Sequence, residues 1–149
     1  MKIFLSHSSE RKPLVREVKS YFPEHIKSWI DEKDLLIGDE TEKTIKDAIN
    51  TNSDFVIIFI DSNSIKSRWV RKELKWALNH EIEIQREFIL PVLLEKCSKI
   101  PKELRNRKYI SCPDYTETSI KSLAENLTYE SIPSINRWID SPDFPIPFQ

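Results

Sequence analysis

The chain has 149 residues, 32% of them charged, and 23 Lys and Arg against 24 Asp and Glu leave a formal net charge of −1. That is one domain's worth, enough for a five-stranded sheet with helices on both faces, and it offers no basic surplus for nucleic acid. A single glycine, Gly38, excludes a G-x-G-x-x-G fingerprint and a P-loop, which need glycine for close backbone approach to phosphate, and no apolar run nears the ~20 residues of a membrane span. Cys97 and Cys112 lack C-x-x-C spacing and read as reduced, partly buried thiols. With a strand opening at Lys2, no signal peptide is expected and a cytoplasmic location is.

In chain order, Lys2 to Ser6 reads as a short buried strand. Leu14, Val15, Val18, Tyr21 and Phe22 then fall on one face of an amphipathic helix whose first turn accommodates Pro13. Ile26 to Ile30 reads as a second, partly polar strand near one side of the sheet. An acid-rich loop, Asp31 to Glu40, surrounds Gly38 and carries the apolar triplet Leu35-Leu36-Ile37. Thr41 to Asn50 reads as a short helix burying Ile45, Ala48 and Ile49. The run Phe55 to Ile60 is continuously apolar, as in a strand covered on both faces.

A helix starting near Ser67 presents two adjacent stripes. Val70, Leu74, Ala77 and Leu78 form a core face, with Trp69, Glu73, Trp76 and His80 beside it. Phe88 to Leu94 is another buried strand, in which Pro91 calls for an irregularity or an edge position. Ile100 to Arg107 allows one helical turn, and Tyr109 to Cys112 a last short strand. Asp114 and Glu117, with one position's latitude, read as the capping box of a helix burying Ile120, Leu123, Ala124 and Leu127. From Ser131 onward Pro133, Pro142, Pro145 and Pro147 alternate with apolar residues. The expected division is therefore a domain at 1–130 and a Pro-rich extension at 131–149 that packs on the domain or on a partner.

Strands alternating with helices imply an α/β fold, a three-layer sandwich around a parallel sheet with right-handed crossovers. In such sheets ligands bind where strands end and helices begin. Three segments meet that description: Phe4-Leu5-Ser6-His7-Ser8-Ser9, Trp29-Ile30-Asp31 with Gly38-Asp39, and Trp69-x-x-x-Glu73. Ser8 or Ser9 is expected to cap the following helix. A Ser–His nucleophile at Ser6-His7 lacks the third, orienting group that such chemistry needs. His25 and His80 stand apart from ligand-spaced partners and read as surface residues, so no metal site is expected. From spacing alone Glu73 is a surface carboxylate pairing with lysines or a crevice acid, and Trp69 a core anchor or a crevice wall.

Together these segments resemble a bacterial Toll/interleukin-1 receptor (TIR) domain, over Lys2 to Glu130. The resemblance implies the flavodoxin-like strand order 2-1-3-4-5 and, in enzymatic members, cleavage of the nicotinamide–ribose bond of NAD+, which is a substrate with no further cofactor. It implies Glu73 as the catalytic residue, His7, Ser8, Asp31 and Trp69 as substrate contacts, and Asp34, Leu35, Leu36, Ile37 and Gly38 as an assembly loop for TIR–TIR self-association. The triplet Leu35 to Ile37 could equally fold back on the domain's own core. A free-standing TIR chain of this size is similar to the enzymes of Thoeris-type antiphage systems. Those make ADP-ribose or a cyclic ADP-ribose signal for a separate effector. Two other readings stand beside it: a TIR–TIR interaction module without activity, or a secreted effector that interferes with host TIR signalling.

Overall fold

The computed structural model describes residues 1–30, 40–94, 100–107, 109–112 and 114–133, with 40–42 described by their backbone alone. Five parallel strands, β1 (Lys2–Ser6), β2 (Lys27–Ile30), β3 (Phe55–Ile60), β4 (Ile89–Leu93) and β5 (Ile110–Ser111), lie in the order β2-β1-β3-β4-β5. Between them run α1 (Lys12–Ser20), α2 (Glu40–Asn50) and α3 (Arg68–Ile84), and α4 (Glu117–Asn126) follows β5. Helices α1 and α4 pack together on one face, α2 and α3 on the other.

Strand alternation sorts the core into two layers. Ile3, Leu5, Phe55, Ile57 and Phe59 meet Leu14, Val15 and Val18 of α1 and Ile120, Leu123 and Ala124 of α4. Phe4, Val56, Ile58 and Ile60 meet Ile45 and Ile49 of α2 and Leu74, Trp76 and Ala77 of α3. All six residues of β3 are buried, which is why that strand reads as an unbroken apolar run. Ile132, beyond a π-helical turn at Leu127–Ser131, is 2% exposed and belongs to the α1/α4 layer.

Two expectations are corrected and one is met. Pro91 sits in register opposite Ile58 inside β4, at a level where β5 does not yet pair, so its outer side is a local edge. Leu94 N–H donates to Ile60 across the β3 side, and Leu93 C=O accepts from Cys112 N–H on the β5 side. Alternation therefore turns the Pro91 nitrogen towards β5, which pairs only from Val92 onward, so proline forfeits no ladder bond. At α4 the cap is Thr116, whose side chain accepts from Ser119 N–H, and Asp114 instead holds Thr116 by accepting from its N–H and hydroxyl. His80 is not a surface residue: its side chain is 14% exposed and its ring packs edge-on against Phe88, centroids 4.8 Å apart. His25 is exposed as expected.

Candidate functional site

The strand order reverses at β1, because the chain leaves β1 for α1 on one face and leaves β2 for α2 on the other. Polar residues gather at the carboxyl end of the strands there: Ser6 at the end of β1, His7 and Ser8 after it, and Asp61 after β3 are all at most 5% exposed. A crevice at such a switch point is where open α/β sheets bind ligands.

Glu73 reaches this place from α3. Ser67 caps the helix by accepting from Val70 N–H, which starts the helix at Arg68 and puts Glu73 in its second turn. Ser6 shares the face of β1 that carries Phe4, so its side chain points at α3. Its hydroxyl donates to Glu73 Oε1 at 3.0 Å, and the Glu73 side chain is wholly buried. A wholly buried carboxyl group, fixed by a hydroxyl at the end of a strand, is held in one preorganised position. The surface-glutamate reading of this position is therefore wrong.

Trp69, one helical turn before Glu73, is half-buried. Its ring meets Trp76 edge to face at 6.1 Å, and the Lys72 ammonium lies 5.9 Å from its centroid. Trp69 is thus partly a core residue, packed against the layer beneath α3. His7 is 2% exposed, and its Nδ1 is 2.9 Å from the Leu5 carbonyl oxygen, a bond that ties the ring back onto its own strand. Ser8 caps nothing with its side chain, contrary to expectation: its buried hydroxyl has no hydrogen-bond partner among the described residues. Asp31, Asp34, Leu35, Leu36, Ile37 and Gly38 lie outside the described residues, as does Cys97. Burial, with Asp114 nearby, pushes the Cys112 thiol up and keeps it protonated.

Sequence reasoning missed two ion pairs. Asp61, 0% exposed, takes Arg11 Nε at 2.5 Å, and it also accepts from Ser64 N–H at 2.7 Å. The pair fastens the turn after β1 to the end of β3. An aspartate immediately after a fully apolar parallel strand is the signal that could have found it, since that position opens on the crevice. The second, Glu81, has an oxygen accepting from Phe88 N–H and Ile89 N–H, and both its oxygens meet the Arg107 guanidinium. It locks the end of α3 to the start of β4, far from Glu73.

A family model described as the TIR domain matches residues 3–126. The NAD(+) hydrolase TirS of Staphylococcus aureus (strain MSSA476) is 36% identical over 92 residues, 60% of this chain and 32% of that protein, so the chain spans about a third of the curated relative it matches. Among solved structures, the TIR domain of the Toll-related receptor TRR-2 of Hydra magnipapillata superposes with a TM-score of 0.56 at 22% identity, covering 73% of this chain and 82% of the other. That likeness concerns the fold, which carries the expected strand order. The chain belongs to the TIR-domain family.

Proposed function

We propose that this TIR domain cleaves the nicotinamide–ribose bond of NAD+, with Glu73 as its catalytic carboxylate. The observation that carries the proposal is the Ser6–Glu73 pair, a buried carboxylate fixed at the switch point of the sheet. The relative TirS, a hydrolase of NAD+ by name, supports the same chemistry.

The leaving nicotinamide starts as a pyridinium and departs neutral, taking the bonding pair, so no general acid is required. Positive charge develops on the ribose as in glycoside hydrolysis, and one ionised carboxylate beside that ring stabilises it. Water then bonds to the anomeric carbon and loses a proton, giving ADP-ribose; attack from within ADP-ribose itself gives a cyclic product. Trp69 offers an aromatic face to the pyridinium. The partnerless Ser8 hydroxyl and His7 are the polar contacts assigned to the nucleotide from the first strand. Asp31 is assigned to the same substrate from the second. Since Glu73 is wholly buried, NAD+ reaches it only after the crevice opens.

The finer reading is a Thoeris-like signalling enzyme, whose ADP-ribose or cyclic product informs a separate effector during antiphage defence. TIR–TIR self-association through Asp34 to Gly38 completes the site. Mass spectrometry of concentrated protein incubated with NAD+ is the test. Nicotinamide together with ADP-ribose or its cyclic isomer is expected, and specific activity should rise with protein concentration and fall in Leu36→Asp. No nicotinamide release at any concentration would overturn the enzymatic reading.

One observation favours the interaction-module alternative. The Ser6–Glu73 bond also ties α3 to β1, and a carboxylate at 0% exposure serves as such a tie without any chemistry.

A further inference from the structure

On the flank of α3 turned away from Trp69 and Glu73 lies a cavity of about 680 Å³, between that helix and residues 100–105. Its size falls within the range of small-molecule sites. The floor is aliphatic, with Ile60 and Leu74 buried and Leu78 and Ile100 partly so. The mouth is cationic. Arg71 and Lys75 stand one turn apart on α3, with Lys102 on the opposite wall, against a single acid, Glu103. Among the described residues no carboxylate pairs with Arg71, Lys75 or Lys102.

We propose that this cavity binds a small amphipathic anion, a carboxylate or phosphate head held by Arg71, Lys75 and Lys102 over an aliphatic body lying on Ile60, Leu74 and Leu78. The two halves of the lining demand the two halves of the ligand. Three cations with no carboxylate partner among the described residues attract an anionic head, and a floor whose Leu78 and Ile100 stay partly exposed gains by being covered. A bare anion leaves the floor wet, and a bare hydrocarbon leaves the cations unanswered. None of these residues belongs to the Glu73 site, so the proposal does not depend on the NAD+ reading.

Calorimetric titration with decanoate tests it, with inorganic phosphate as the head alone and decyltrimethylammonium as the oppositely charged counterpart. One saturable equivalent of decanoate is expected, with methyl NMR shifts at Ile60, Leu74 and Leu78. Arg71→Gln combined with Lys75→Gln should weaken it by about tenfold. Lys102→Gln, on the other wall, should weaken it in the same direction and keeps the test valid should the double variant unfold. Decanoate that fails to saturate, or that binds the folded variants as tightly as the parent, overturns the proposal. So does equal affinity for decyltrimethylammonium or for phosphate alone.

Discussion

Ser6 Oγ donates to Glu73 Oε1 at 3.0 Å across 67 positions of sequence. Glu73→Gln preserves shape and an oxygen acceptor for Ser6, so the fold and melting temperature are expected to hold. NAD+ cleavage should fall by at least about 10²-fold, the scale of losing one preorganised charge in a closed site. Nicotinamide release beside thermal melts measures both, and retained cleavage in a folded variant would remove Glu73 from catalysis.

Ser6→Ala separates positioning from charge. The hydroxyl touches the carboxylate and sits on β1, so its loss should cost about 2 kcal/mol of stability, as for a hydrogen bond to a charged group. Where Glu73 is catalytic, kcat should drop with KM nearly unchanged, and Ser6→Thr should restore part of it. A purely mechanical tie would lower the melting temperature and leave kcat alone.

Trp69→Ala should destabilise by less than the roughly 3–5 kcal/mol of a fully buried tryptophan, because the indole is half-buried against Trp76. Loss of the pyridinium-facing ring should raise KM more than it lowers stability, and Trp69→Phe should recover much of the affinity. Urea melts and initial rates over a range of NAD+ give both numbers.

Glu81→Gln should cost about 3 kcal/mol, since it leaves Arg107 partly buried without its counterion and weakens the bonds to Phe88 and Ile89 N–H. Amide exchange at Phe88 and Ile89 should accelerate. Catalysis should be untouched at temperatures where the variant stays folded, because Glu81 lies two turns beyond Glu73.

Hydrogen bonds from Ser119 and Thr116 hold the Asp114 carboxyl below the usual aspartate range. Its folded value lies under its unfolded one, so its contribution is present at neutral pH and is lost as pH falls through the depressed value. The first turn of α4 should therefore fray in acid, followed by amide exchange at Ser119, and Asp114→Ala should abolish that pH dependence.

What could be read from residues alone follows from range. β3 and α3 are signalled locally, by an unbroken apolar run and by Ser67 before a periodic stripe, and both stand where expected. Glu73 needed the TIR resemblance, because its burial depends on Ser6, 67 positions away. Asp61 and Glu81 escaped for the same reason. A charged side chain reads as surface until its partner is known, and Arg11 and Arg107 lie 50 and 26 positions away. His80 was misplaced because Phe88, the ring it packs on, belongs to the next strand. Pro91 looked disruptive because one-dimensional reading cannot say which side of a strand a nitrogen faces.

The orientation of Pro91 has a consequence for solubility. On the outer side of β4, ahead of the two-residue β5, the backbone has two nitrogens: Ile89 N–H is taken by the Glu81 carboxylate, and Pro91 has no hydrogen to offer. A foreign strand arriving there finds no donor to pair with, so this unpaired margin of a very apolar sheet, where Ile89 and Pro91 are themselves buried, is closed to edge-to-edge stacking. Pro91→Val would restore one donor at that margin, and light scattering on heating should then begin at lower temperature than in the parent chain.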